Sequence, residues 1–346
     1  MLIIVLSFVA IAAMRVVQTV CGKKVSDSVS GGQMFFRYGA FYQFIAAAFS
    51  LITLAVTGFY GFNLPTVLCA LVSAVLFAVD LFTSIEVLKG CSLTVATMFG
   101  LGGLIISCVL SIFFFNEPMS VFQAIGLALF FVGVYLLTPE KAEKGKKISL
   151  RTYILLFINL IVNGFVMVAQ KYFGLLGEGK LTFMDYAKTE YSVAMHSFLT
   201  FILDALMMAV CAIVLYFKEK SAVKEAAAAE SAAAEGICAQ GAAQKEASKE
   251  VEKDFFGLKK VHLICGTLLA LAVFIINYLV TELGKTVPSV ILFPVSSAIS
   301  IGLSAVIGWL MYKEKLTARN FIGLFIGLIG IIVIGILTPA TVAKWF

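Results

Sequence analysis

Of the 346 residues only 13% are charged while 61% are apolar, and the mean hydropathy is +1.02. Soluble chains carry about 25% charged residues, so this composition excludes a water-soluble domain and describes an integral membrane protein. The net charge of +6 sits in loops, where it speaks of orientation across a bilayer and not of nucleic acid, and the seven cysteines lack C-x-x-C spacing, which leaves neither a disulfide framework nor a zinc site.

Apolar stretches of roughly 20 residues recur along the chain, each long enough to cross a hydrocarbon core about 30 Å thick. Helices are the expected form, because lipid offers backbone groups no other partner and no strand-like alternation is present. The segmentation gives about ten spans, at residues 2–20, 34–57, 65–88, 93–115, 120–138, 150–173, 187–217, 261–283, 288–312 and 317–337.

The first span, opening "MLIIVLSFVAIAAM", lacks the basic flank of a signal peptide and reads as membrane-spanning. It carries Arg15 and Gln18 one turn apart. The third span places Ser73, Phe77, Asp80 and Ser84 at i, i+4, i+7 and i+11, one face of a helix, with Glu86 and Lys89 near its end. Thr97 in the fourth span stands beside Gly100, Gly102 and Gly103. The fifth follows "FFFNEPMS", in which Glu117 precedes Ser120 and Gln123 at the spacing of a capping box. A basic linker, 140–149, follows it.

Asn159, Asn163 and Gln170 punctuate the sixth span. On the seventh, His196, Thr200 and Asp204 share a face, with His196 and Asp204 about 12 Å apart along the axis, too far to bond directly. Residues 218–257 are Ala/Glu/Lys low complexity and read as a solvated loop. Ala270, Phe274, Asn277 and Thr281 form the stripe of the eighth span, followed by Glu282 and Lys285. The ninth contains Ser289, Pro294, Ser296, Ser300 and Ser304, and Pro294 predicts a kink. The tenth follows "LMYKEKLT", with Glu314 before Thr317 and Asn320, and presents Gly323, Gly327 and Gly330 on one face, suited to a homodimer contact or to packing within the chain.

Superposing Glu117 on Glu314 brings other residues into register: Gly126 on Gly323, Gly133 on Gly330, Ser92 on Ser289, Ser107 on Ser304, Phe77 on Phe274, Asp80 on Asn277 and Ser84 on Thr281. Matches of Glu, Gly and in-membrane polar residues are selective in a way that Leu on Ile is not. The reading is an all-α integral membrane fold of about ten transmembrane helices, arranged as two inverted five-helix repeats: 1–139, then the 140–149 linker, then 150–346, the second interrupted by 218–257. Loops after odd-numbered spans hold about nineteen Lys and Arg against about four elsewhere, which places the odd loops in the cytoplasm and both termini outside.

A span ending in "FFFNEPMS" or "LMYKEKLT", followed by a Gly-rich span ending near "LTP", resembles the drug/metabolite transporter superfamily, specifically its EamA-type members. The likeness is strongest over 92–138 and 289–337 and absent from the 218–257 insert. It implies a transporter in which helices one to four rock against six to nine around a cavity, with helices five and ten peripheral. Family members carry amino acids, sugars, nucleotide precursors, drugs or lipid-linked sugars, so the resemblance does not choose the cargo.

Polar groups at bilayer depth cost about 2.5 kcal/mol or more when they face lipid, so the stripes are expected to face each other around a cavity. Asp80, Asn277, Arg15, Gln18, Asn163, Gln170 and Ser300 are the candidate substrate-binding or coupling residues. Asp80 leads as the buried acid, with Arg15 or Arg37 as its prospective partner, and Asn277 mirrors it without being able to titrate. Glu86 with Lys89 and Glu282 with Lys285 are candidate gates. Glu117 and Glu314 read as structural turns, since a carboxylate just ahead of a helix meets its dipole favourably. The expected function is secondary transport of a small polar metabolite, an amino acid or related compound, by alternating access, with proton coupling through Asp80. A lipid-linked sugar flippase or a drug exporter is the rival within the superfamily, and a non-transporting sensor or scaffold the rival outside it. No G-x-S-x-G, H-E-x-x-H or paired-aspartate motif suggests an enzyme, and no cofactor motif is present. The expected partners are the small-molecule substrate and the lipid bilayer, and the expected location is a cell membrane, that of a bacterial cytoplasm.

Overall fold

The computed structural model describes residues 2–29, 32–116, 119–137, 149–181, 190–234, 257–313 and 317–336, and all regular structure among them is helical. The helices are α1 (Leu2–Val29), α2 (Gly32–Thr57), α3 (Leu64–Gly90), α4 (Leu93–Leu101), α5 (Leu104–Phe114), α6 (Val121–Leu137), α7 (Leu150–Gly177), α8 (Val193–Ala234), α9 (Lys260–Gly284), α10 (Ser289–Tyr312) and α11 (Ala318–Ile336). A turn at Gly102 and Gly103 joins α4 and α5 into one bent apolar stretch. Among the described residues eight stretches are long and apolar enough to cross a bilayer, and α6 and α11 are shorter apolar helices. The chain is accordingly a multi-pass membrane protein. Phe44, Ile52, Val75, Val214, Phe321 and Phe325 point outward, as side chains do that have lipid for solvent.

Local chemistry sets the helix ends. Asn63 accepts from Thr66 N at 2.8 Å, with Pro65 in the first turn of α3, and Ser92 and Ser149 cap α4 and α7 in the same way. Ahead of α6, Ser120 N donates to Gln123 Oε1 at 2.8 Å while Gln123 N donates to Ser120 Oγ at 3.2 Å, the reciprocal pair expected from the sequence. The counterpart before α11 is the single bond from Asn320 N to Thr317 Oγ1 at 3.2 Å. Glu117 and Glu314 lie outside the described residues. The residues just before them, Asn116 and Lys313, are the two non-glycine residues described with positive φ, at 51° and 52°.

One expectation changes, and of two alternatives the sequence left open one is observed. The 218–257 segment was expected as a loop, but residues 218–234 continue α8, because alanine, glutamate and lysine are strong helix formers. Residues 235–256 of that segment, and 140–148 of the linker, fall outside the described residues. The glycine face of the last helix, open in sequence to a second copy, is occupied within the chain. A Cβ on Gly330 would come within 2.6 Å of Gly126 O, and one on Gly133 within 2.7 Å of Gly323 O, so α6 and α11 touch backbone to backbone. Gln123 Nε2 fastens them further by donating to Ile334 O at 3.0 Å.

The most extensive helix contacts are α6 with α11, α2 with α8, α1 with α9 and α3 with α7. α10 packs on α11, α1 and α4, while α4 and α5 pack on α7. One end of the bundle carries the α1–α2 and α3–α4 turns. There Lys23 Nζ donates to Leu88 O and Cys91 O, both at 2.9 Å. At the opposite end Lys171 Nζ donates to Val287 O at 2.8 Å and Asn63 Nδ2 to Glu190 O at 2.8 Å. Each lysine meets the carbonyl-rich C-terminus of another helix, where a cation is favoured.

Candidate functional site

Between α1, α3, α4 and α7 lies a cavity of about 90 Å³ whose wall includes Arg15, Gln18, Asp80, Ser84, Asn159 and Asn163. It extends from mid-depth toward Gly22 and Leu88, near the Lys23 cap. A smaller space of about 20 Å³ adjoins it through the shared residues Arg15, Gln18, Phe77, Asp80 and Asn163, and adds Gln170 and Asn277 to the wall.

The elements hold these groups for identifiable reasons. Asp80 is brought to α7 because α3 and α7 pack along their length, and Asn163 and Asn159 lie one turn apart on the facing side of α7. The α4–α5 bend lets this segment approach α7 closely: a Cβ on Gly103 would come within 2.7 Å of Leu160 O. Gly100 leaves room for the Asn159 side chain, since a Cβ there would sit 3.0 Å from Asn159 Oδ1.

Asp80 is buried, and its Oδ1 accepts from Asn163 Nδ2 at 2.5 Å, Asn159 Nδ2 at 3.2 Å and Ser84 Oγ at 3.4 Å. All three donors converge on one oxygen. Asn159 Nδ2 also lies 3.0 Å from Thr83 Oγ1 and 2.9 Å from Ser84 Oγ. Arg15 lines the same wall, close enough for its charge to attract Asp80, and its Nε is buried with no hydrogen-bond partner. The cavity wall thus offers an acid, a guanidinium and amides on facing helices. Such a set can bind a cationic and an anionic group of one small molecule at once.

Gln170 Nε2 donates to Asn277 Oδ1 at 3.0 Å, and Asn277 Nδ2 donates to Ser197 Oγ at 3.0 Å. These two candidates join α7, α9 and α8 beneath the larger cavity. Beyond them, toward the opposite end, the core closes around Phe173, whose ring stacks on His196 with centroids 4.0 Å apart and meets Tyr191 edge-on. His196 is thereby engaged with Phe173, and its Nε2 lies 3.4 Å from Ser73 Oγ.

Sequence reasoning placed Arg15, Gln18, Asp80, Asn163, Gln170 and Asn277 around one space, and the structure brings them together. Ser300 is not among the residues lining it. Its hydroxyl donates to Ser296 O at 2.7 Å in its own helix, the usual way for a serine in a membrane helix to satisfy itself. The gate pairing at Glu86 also differs from expectation. Glu86 pairs with Arg151 of α7 at 3.3 Å rather than with Lys89, because α3 and α7 run side by side there. Glu282 and Lys285 do pair with each other, at 2.6 Å, and Lys285 O accepts from Lys180 Nζ at 2.9 Å. Missed altogether were Tyr42, Thr19 and Gly22 on the cavity wall and the caps made by Lys23 and Lys171. Lys23 and Lys171 each stand in the last third of their helix, α1 and α7, a likeness that the Glu117–Glu314 register does not reach.

No family model matches the sequence, and no curated protein matches it. Solved structures do share the fold. One, described only as the crystal structure of a protein, aligns over 97% of this chain and 97% of its own, with a TM-score of 0.62 and 12% identity. At that identity the likeness concerns the fold alone.

Proposed function

We propose that this is a secondary transporter of the drug/metabolite transporter superfamily, EamA type, carrying an amino acid or related small polar metabolite across a bacterial cytoplasmic membrane by alternating access. The observation that carries the reading is the presence of both Asp80 and Arg15 on the wall of one cavity among the apolar helices. Opposite charges there suit a zwitterion, which would exchange its hydration shell for both. Ten spans in two inverted repeats are part of the proposal. Exchanging α1 with α7, α2 with α8, α3 with α9, α4 and α5 with α10, and α6 with α11 carries each main helix contact onto another, except that of α1 with α4, which has no α7–α10 counterpart of like extent. Lys23 and Lys171, and Asn116 and Lys313, are related in the same way. Such symmetry supports a binding site at the repeat interface and alternation between two access states. The aromatic cluster around Phe173 closes one end, and the larger cavity reaches toward the other, the cytoplasmic end by the basic-residue rule.

The test is purified protein screened by thermal unfolding against the proteinogenic amino acids and their amines, followed by counterflow in proteoliposomes. A ligand at about 100 times its Kd raises apparent stability by about 2.7 kcal/mol. Stabilisation by a zwitterion, with counterflow of the same compound, is the expected result. Stabilisation only by long-chain or lipid-linked compounds would sink the reading in favour of a flippase.

A further inference from the structure

Asp204 on α8 lies outside the cavity just described, and none of the roles assigned above uses it. It is completely buried. One carboxyl oxygen, Oδ2, accepts from Gln43 Nε2 on α2, and the other, Oδ1, has no hydrogen-bond partner. Thr200 Oγ1, one turn away on the same face, and Gln43 Oε1 are likewise buried without partners. The contrast with Asp80 is direct: that acid has three donors and a guanidinium in reach, whereas Asp204 has one neutral amide.

The charged and titratable groups nearby offer no compensation. From α2 comes Tyr42, and beyond it Asp80 from α3, both acids. Arg37 on α2 is six residues from Gln43, about 9 Å of helical rise. Cys265 on α9 lies toward Tyr38, and His196 on α8 is stacked on Phe173. α7 contributes Val166 and α9 Leu269 and Val273 to the same core. No lysine or arginine among the described residues interacts with Asp204. An ionised carboxylate at full burial loses more by desolvation than one neutral donor returns.

We propose that Asp204 is a proton-binding site, separate from the substrate cavity and linked to it through Gln43 and Tyr42. Gln43 Nε2 donates both to Asp204 and, at 2.7 Å, to the Tyr42 hydroxyl, and Tyr42 forms part of the cavity wall. Uptake transfers a proton from hydronium to a carboxylate oxygen, forming one O–H bond and leaving water; release reverses this, and no oxidant or reductant takes part. With the proton bound, α2 and α8 close over a neutral group, a state that suits the closely packed α2–α8 seam. Once it leaves, the bare charge demands water or a further donor, so the α2–α8 seam must loosen. The Gln43 amide, drawn to the carboxylate, then changes its hold on Tyr42 at the cavity. Coupling of this event to transport rests on the transporter reading; protonation of Asp204 does not.

Infrared spectra of the full-length protein in lipid nanodiscs test the two separately. At neutral pH the wild type should show the carbonyl-stretch band of a protonated carboxylic acid that Asp204→Asn lacks and Asp80→Asn retains. Identical carboxylic-acid bands in wild type and Asp204→Asn, from mildly acidic to mildly alkaline pH, would overturn the proposal. Gln43→Leu keeps the acid and removes its donor, so it should shift that band; an unshifted band also overturns it. Thermal stabilisation by sodium over choline that Asp204→Asn abolishes would overturn the proton in favour of a metal cation. In proteoliposomes supplied with a mixture of the twenty amino acids, Asp204→Asn should lose any stimulation of uptake by a pH gradient, and unchanged stimulation overturns the coupling. If no amino acid moves in the wild type, the transporter reading fails while the infrared result stands.

Discussion

Asp80 is a lock between two helices, and under the proposed function it is a binding residue as well. Its bonds to Asn159 and Asn163 fasten α3 to α7, and its place on the cavity wall offers a charge to a ligand. Asp80→Asn separates the roles, because the amide keeps the shape and most of the hydrogen bonding. If the charge serves a ligand, a charge-assisted bond worth about 1.5–3 kcal/mol is lost, and affinity for the stabilising amino acid falls by about 10- to 100-fold with little change in ligand-free melting. A lower ligand-free melting temperature with unchanged affinity would make Asp80 a lock only. Gly100 works through space instead of charge. Gly100→Ala should displace the Asn159 side chain and weaken ligand binding, with overall stability falling by about 1 kcal/mol or more, as read by thermal titration. Asp80 was legible in the sequence because an acid within an apolar span has few explanations. The wall positions Tyr42, Thr19 and Gly22 were not, since nothing in their local pattern tells which face meets a cavity.

At the scale of elements, the α6–α11 pair is the clearest case of sequence dictating contact. Glycines spaced along both helices let the backbones meet, and Ser120, Gln123, Thr317 and Asn320 fix where the two helices begin. Gly133→Val should cost about 1–3 kcal/mol or more by forcing these backbones apart, visible as a lower melting temperature at unchanged oligomeric state by light scattering. A loss of dimer without loss of stability would assign the glycine face to a second copy instead. Glycine spacing promised a close partner but could not name it, because residues that suit a neighbouring chain also suit a neighbouring helix. Residues 218–234 teach the converse: low-complexity composition removes any reason to pack, yet the same alanines favour helix continuation.

For the whole molecule, the ties at the two ends of the bundle predict which segments share a membrane face. Lys24 and Lys313 belong to the end of the Lys23 cap, and Tyr60 and Glu178 to the end of the Lys171 cap. In a background freed of native cysteines, Tyr60→Cys and Glu178→Cys should react with an impermeant maleimide on intact cells, while Lys24→Cys and Lys313→Cys react only after permeabilisation. Reversal of both sets would overturn the basic-residue orientation and keep the fold. Labelling of Lys24→Cys and Lys313→Cys from different sides would overturn the span arrangement itself.

By itself the sequence determined that the chain is a helical membrane protein, where eight long apolar helices and several helix caps fall, and that its polar residues must gather inside. Those properties follow from local rules, since a bilayer forces helices and penalises every exposed polar group. Tertiary structure alone decided the partners. Glu86 reaches Arg151, Ser300 turns back on its own helix, the glycine face meets α6, and Asp80 but not Asp204 is ringed by donors. Pairings between helices far apart in sequence depend on how side chains and backbones interlock across the bundle, and periodicity fixes a face without fixing what stands opposite it.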